Sequence, residues 1–197
     1  MSAERLRQQL DFLVEIDRLK SIDRQTRIAD GRRENTAEHS WHLAMYALVL
    51  AEHSNENVDL FHVLALCLVH DIVEIDAGDT FAYDVTANGD KEERERRAAE
   101  RLFGLLPSDQ AEYLWRLWEE YEAMETPESR FANAVDRMQP AMLNHVAGEA
   151  STWKEHGVTM PQAVKRLSPI GDGSQALWEH TQSIIDEARQ RGHIREA

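Results

Sequence analysis

Cysteine is almost absent: Cys67 is the only one in 197 residues, so no intrachain disulfide can form and no cysteine-rich structural zinc site can be assembled. Cys67 lies inside an apolar run, where it packs as a small apolar side chain, and a reducing, cytoplasmic compartment is the expectation. Positive charge is also scarce. Lys and Arg number 22 against 36 Asp and Glu, a formal net charge of −14, which argues against a polyanion-binding surface and therefore against a nucleic-acid polymer as partner. A small anionic substrate stays open if a cation sits in the site. No stretch approaches the ~18 consecutive apolar residues of a membrane span, and the N-terminal MSAERLRQQLDFLVEIDRLK is charged throughout, without the apolar centre of a secretory signal. A soluble protein with no membrane partner is expected. Internal repeats, low-complexity tracts, flexible linkers and the alternating pattern of half-buried strands are missing too.

What is present is helical periodicity. The expected fold is all-α, one helical-bundle domain over residues 1–197, a length able to bury roughly 70% of the surface the unfolded chain exposes. From Ala3 to Lys20, Leu6, Leu10, Leu13, Ile16 and Leu19 recur at three and four residues, predicting an amphipathic helix. Ser21 to Arg33 is polar, carries Arg24, Arg27, Arg32 and Arg33, and reads as a loop; on composition alone those arginines read as solvated. Asn35-Thr36-Ala37-Glu38 has the form of a capping box opening a helix to about Ser54, with His39 one turn in and on the face of Leu43, Ala47 and Leu50. Thr80 to Asp90 is a loop with an Asn88-Gly89 turn signal, and Lys91 to Phe103 a charged helix. Helices are predicted from Pro107 to about Met124, from Pro127 towards Gly148 behind a Thr126 cap, from Pro161, and from Gly173 to Gly192.

The stretch Leu60 to Asp79, LFHVLALCLVHDIVEIDAGD, carries the longest apolar run, Val63 to Val69, which ends in His70-Asp71. It predicts one helix from about Val58 to Ala77, buried nearly all round and stopped at Ala77-Gly78-Asp79. Ionisable groups at the end of such a helix are costly unless paired, hydrogen-bonded or coordinated to metal. His39, His70, Asp71 and Asp136 come from three predicted helices, and two imidazoles with two carboxylates suit Mn, Fe, Co, Ni or Zn while leaving positions for water or substrate. Spacing alone leaves the other reading open: His70 as a core histidine, His39 a partner within its own helix and Asp136 an ordinary polar residue.

Motifs separate these readings. Glu38-His39-Ser40, then Leu68-Val69-His70-Asp71-Ile72-Val73-Glu74 with Gly78-Asp79 behind it, and Val135-Asp136-Arg137 together resemble the HD-domain metal-dependent phosphohydrolases. Within that superfamily the chain is most similar to the 5′-deoxynucleotidase branch, over roughly Phe12 to His145, including Asp23-Arg24, Glu34-Asn35 and the WEEYE segment at Trp118 to Glu122. The resemblance implies a site-bearing core over residues 12–145 with C-terminal helices over 149–192 packed on it, one divalent transition metal, a nucleoside 5′-monophosphate substrate and a homodimer. It assigns His39, His70, Asp71 and Asp136 as metal ligands, Glu74 and Asp79 with Asp71 as catalytic carboxylates, and Arg24 and Arg27 as substrate-binding residues. Helix spacing supports Glu74 independently, since it follows His70 by four residues and Asp71 by three.

The likeness has gaps. The branch leads one to expect an aromatic beside the loop arginine and a proline after Gly-Asp, whereas here Gln25-Thr26 follow Arg24 and Thr80-Phe81-Ala82-Tyr83 follow Asp79. Phe81 or Tyr83 is the candidate replacement aromatic surface. A guanosine alarmone hydrolase is the second enzyme reading, disfavoured because Glu74 is followed by Ile75 rather than a second acid. A cyclic-dinucleotide phosphodiesterase would need a Gly-Tyr-Pro tripeptide, which is missing, and further ligands such as His42, His62 or His145. From outside enzymes comes a degenerate helical scaffold, against which the intact ligand set argues. The segment after Gly148, with Trp153, His156 and Trp178, carries no motif; it covers the bundle or forms an interface.

Overall fold

The computed structural model describes residues 3–84 and 89–197. Val85 to Asn88 are outside that range, so the Asn88-Gly89 turn signal falls partly beyond the described residues. Eleven α-helices follow one another among them: α1 (Ala3–Glu15), α2 (Thr36–Leu50), α3 (Leu60–Val69), α4 (Glu74–Ala77), α5 (Lys91–Phe103), α6 (Ser108–Ala123), α7 (Pro127–Ala147), α8 (Thr152–Glu155), α9 (Met160–Leu167), α10 (Ile170–Gly173) and α11 (Gln175–Gln190). The architecture is the all-α bundle the periodicity predicts. No helix among the described residues is long and apolar enough to cross a membrane.

The bundle is built around α7, whose 21 residues begin at Thr126 with a reciprocal cap in which Thr126 and Ser129 exchange side-chain and backbone hydrogen bonds. Helices α2, α3, α6, α10 and α11 pack on it. Phe131, Ala132, Ala134 and Val135 are fully excluded from solvent, and small residues let neighbouring helices approach closely. The closest approach is at Gly173 of α10, where an added Cβ would lie 2.3 Å from the Arg130 carbonyl oxygen and 2.9 Å from Ala134 Cβ. Backbone cannot yield as a flexible side chain can, so Gly173→Ala should destabilise the protein by about 3 kcal/mol, the upper part of the overpacking range. In thermal unfolding that is a fall of about 6–12 °C; a midpoint within about 2 °C of wild type would show that α10 shifts freely.

Three sequence expectations need correction. The Ser21–Arg33 loop is in fact a hairpin, β1 (Asp23–Arg27) antiparallel to β2 (Arg33–Asn35), paired Asp23 to Asn35 and Arg27 to Arg33 with an irregularity between. Its buried residues are Thr26 and Glu34, so no apolar alternation marks it, and Glu34 accepts from the buried Gln139 amide. Helix α1 does form, continued by a 3₁₀ turn over Ile16–Ser21. It buries Phe12 and Leu19, however, and leaves Leu6, Leu10 and Leu13 more than half exposed at 56%, 51% and 57%.

The third correction concerns the central stretch. Helix α3 stops at Val69, a 3₁₀ turn spans His70–Val73, and α4 resumes at Glu74. Tighter winding at about three residues per turn sets His70-Asp71 at the change of helix type rather than on a continuous face. Val63, Leu66 and Cys67 are fully buried, yet Phe61 and Leu68 are exposed at 80% and 52%, so α3 is not apolar-packed all round. Gly78 ends α4 with φ +76°, the left-handed region that favours glycine, and its N–H donates to the Glu74 carbonyl at 2.8 Å. That turn aims Asp79 back toward the end of α3.

Candidate metal centre and substrate cleft

Three elements deliver the centre. The Asn35 cap on α2 forms as the motif predicts, with the Glu38 N–H donating to Asn35 Oδ1 at 3.0 Å and the Asn35 N–H to Glu38 Oε2 at 3.2 Å. This fixes the first turn and places His39, fully buried, against α7, where His39 Nε2 lies 3.0 Å from Asp136 Oδ1. His39 Nδ1 faces Gln139 Oε1 at 3.1 Å. The Gln139 amide nitrogen donates to Glu34 Oε1 at 2.7 Å and to His42 Nδ1 at 3.1 Å, which leaves its oxygen to accept from His39. The proton of His39 is thereby held on Nδ1 and its Nε2 is turned to the centre, the usual support given to a ligating imidazole.

His70 is fixed in the same sense by a different partner. Its Nδ1 donates to the Cys67 carbonyl at 2.9 Å, an oxygen in the last turn of α3. A carbonyl can only accept, so the tautomer follows from geometry. His70 Nε2 is left buried with no hydrogen-bond partner, although Asp71 Oδ1 is 3.1 Å and Asp136 Oδ1 3.9 Å away. Ligand atoms of His39, His70 and Asp136 all lie within 4.8 Å of one another, a group that could hold a metal ion. An orphaned buried imidazole nitrogen facing carboxylates fits such an ion, because leaving it unpaired is costly.

Asp71 stands beside that trio, its Oδ2 3.7 Å from His39 Nε2 and accepting from Arg24 Nη1 at 3.0 Å. Arg24, delivered by β1, is enclosed by carboxylates: Glu34 lies 3.7 Å and Asp79 3.8 Å from its guanidinium. Glu74 is buried and accepts from the Thr36 hydroxyl at 2.9 Å. Arg27 does not join the group. It donates to the Gly31 carbonyl at 3.0 Å and to Glu155 at 3.2 Å, away from the cleft.

The electrostatics divide the carboxylates into two kinds. Burial opposes ionisation of Asp71 and Asp136, but His70, His39 and nearby arginines outweigh it and hold both well below the usual carboxylate range. Burial and the Asp71 charge act together on Glu74 and raise it well above that range; Asp79 is raised by the same two causes against the pull of Arg24. Burial alone would lower His70, yet the negative charge of Asp71 and Asp136 pushes it up to about 9, and a cation at Nε2 would answer the same field in place of that proton. Two carboxylates held charged beside two that burial pushes toward the protonated form is a pattern of acid–base sites.

Further residues support the centre or line the cleft, and of these the sequence singled out only Phe81 and Tyr83 for that place. Gln139 was legible in principle, since it follows Asp136 by one helical turn. Tyr121 of the WEEYE segment lies 4.5 Å from the His70 ring, its hydroxyl buried and unpartnered. The segment after Gly148 covers the bundle: Trp153 is 1% exposed, and its indole N–H donates to the Tyr83 hydroxyl at 3.3 Å. Phe81 and Tyr83 both line the cleft, and Phe81 stands 4.4 Å from the His156 ring. From α9, Arg166 reaches the same space, and no motif marked it. His42 supports His39 through Gln139, while His62 pairs with Glu120 at 2.8 Å.

Fold and site together define an all-α protein with a buried histidine–aspartate centre open to an acidic cleft. The profile of the HD domain matches residues 16–178, and the chain belongs to the HD domain family. It is a metal-dependent phosphohydrolase of the HD type. A crystal structure of a "predicted metal-dependent phosphohydrolase" from Magnetospirillum magnetotacticum MS-1 superposes with a TM-score of 0.93 at 52% identity, covering 98% of this chain and 96% of that one. The 5′-deoxynucleotidase HDDC2 of Bos taurus is 32% identical over 71% of this chain and 67% of its own length. Its Homo sapiens counterpart is 30% identical over 66% and 63%. The matches thus span about two thirds of these relatives' lengths. A Pyrococcus horikoshii OT3 protein, at 17% identity and TM-score 0.65, shares the fold.

Proposed function

We propose that this chain is a phosphomonoesterase releasing phosphate from (deoxy)ribonucleoside 5′-monophosphates, with His39, His70, Asp71 and Asp136 holding one divalent transition metal. The observation that carries this reading is the orphaned Nε2 of His70, aimed by the Cys67 carbonyl at the carboxylates of Asp71 and Asp136. Mn, Co, Fe, Ni and Zn all suit that donor set. Such an ion supplies charge neutralisation at the phosphoryl group and acidification of water.

The remaining work falls to the chain. Arg24 lines the cleft beside Asp71, and its guanidinium is the contact for a phosphoryl oxygen on that side. Glu74, holding a proton by virtue of its burial, hands it toward the leaving 5′-oxygen. Asp79 orients Arg24 from the other side of the cleft wall. Phe81 and Tyr83 offer an aromatic surface at the mouth for sugar and base. Catalysis of this kind is positioning and electrostatics and needs no protein nucleophile.

The names of the curated relatives support the nucleotide reading. Phosphate release should be followed over a panel of ribo- and deoxyribonucleoside monophosphates beside a guanosine alarmone and a cyclic dinucleotide, after loading with each candidate metal. Turnover on the monophosphates is expected. Activity confined to the alarmone or the cyclic dinucleotide would overturn the reading.

A further inference from the structure

Arg24 is compensated by three carboxylates, whereas two other arginines of the cleft have at most one, at long range. Arg137, next to Asp136 on α7, has no carboxylate within 4.0 Å among the described residues. Its Nη1 donates to the Asn133 carbonyl at 3.2 Å and to Asn133 Oδ1 at 2.6 Å, its Nη2 sits 3.7 Å from Met124 Sδ, and its Nε is buried without a partner. Arg166, from α9, has Asp136 Oδ2 at the long distance of 3.9 Å. In a protein with a net charge of −14, a counter-ion for either would be easily supplied. Both guanidinium groups line the same cleft, on the side of Asp136.

We propose that Arg137 and Arg166 form an anion subsite that takes the phosphoryl oxygens of the substrate from the Asp136 side of the centre, as Arg24 stands on the Asp71 side. The ligand class is a dianionic phosphate monoester, or free phosphate as product. A dianion settling there meets two guanidinium groups with no carboxylate nearer than 3.9 Å among the described residues, whereas at Arg24 it must compete with carboxylates already in place. Asn133 holds Arg137 from behind with two hydrogen bonds, so its planar fork is preset. Arg166 is brought in by α9, which is anchored by the buried Ala163 and Leu167. The segment without a motif thereby acquires a role: it supplies one half of the subsite.

The proposal rests on the phosphomonoesterase reading, but its test does not. Inorganic phosphate is titrated calorimetrically into the metal-loaded wild-type chain, R166Q, R166K and R137Q, with metal content and melting temperature measured for each. R166Q and R137Q should each weaken phosphate binding about tenfold or more with metal content unchanged, and R166K should recover part of the loss, having the charge without the fork. KM for a generic phosphomonoester, p-nitrophenyl phosphate, should rise by a similar factor. Wild-type affinity retained within twofold by both glutamine variants, no phosphate binding by the wild type at millimolar concentration, or a loss that tracks lost metal would each overturn the subsite. If R137Q does not fold, the more exposed Arg166 decides the matter by itself. Weakened phosphate binding in a chain inactive on every nucleoside monophosphate would sustain the subsite and refute the nucleotide reading.

Discussion

The Asp71→Ala protein is expected to keep its helical fold and lose phosphate-releasing turnover by more than about a thousandfold. A change in the residues that merely support a metal ligand costs roughly 10–100-fold, and Asp71 stands closer than that: 3.1 Å from His70 Nε2 and 3.7 Å from His39 Nε2. The same carboxylate accepts from Arg24, so truncation also releases the guanidinium that the hairpin carries into the cleft. Loss of that pair will lower stability, because removing one partner leaves a buried charge uncompensated. Asp71→Asn keeps the volume and the hydrogen bond to Arg24 while weakening metal binding, and so separates the two effects. Metal content by elemental analysis, alongside turnover, is the measurement. Either variant with a near-normal rate and full metal would remove Asp71 from the centre.

Glu74→Gln should lower kcat by about 10²–10⁴, the range of a lost general acid–base group, while leaving metal content and KM within a few-fold. The substitution keeps the shape of a 5% exposed side chain and still accepts from the Thr36 hydroxyl; what it removes is the proton. The sign of the pH dependence follows from burial. Because burial and the Asp71 charge raise Glu74 well above the usual carboxylate range, the group stays protonated at low pH and gives up its proton as pH rises. Wild-type kcat should therefore carry an alkaline limb that the glutamine variant lacks. A variant within tenfold of wild type, with the limb intact, would make Glu74 a structural residue.

Much of this centre is readable before any coordinates, because its parts sit on elements with strong local signals. The Asn35-x-x-Glu38 cap fixes where α2 begins and hence where His39 points; the Val63–Val69 run fixes the depth of α3; Thr126-Pro127 fixes the start of α7. The hairpin is different. Its buried residues, Thr26 and Glu34, are polar, and Glu34 meets its partner Gln139 only when α7 is in place, so no periodicity announces it. The switch to 3₁₀ winding at His70 is equally silent, since helical spacing looks the same whichever way the turn is wound. Leu6, Leu10 and Leu13 misled for a related reason: an apolar stripe states that a face is apolar, not that something covers it. Arg166 lay beyond reach altogether, being brought to the cleft by the packing of a short helix far along the chain.

The chain of contacts from His39 through Gln139 to Glu34 has a consequence for linkage. It joins β2 to α2 and α7 in one buried polar relay, so the hairpin and the centre do not rest on separate free energies. A ligand that favours one orientation of the His39 ring favours one seating of Glu34, and with it the seating of Arg24, which lies 3.7 Å from that carboxylate. Linkage is reciprocal. Whatever factor an anion at Arg24 applies to the hold on a cation at His39, the cation applies to the hold on the anion, so the two are expected to bind as a coupled pair.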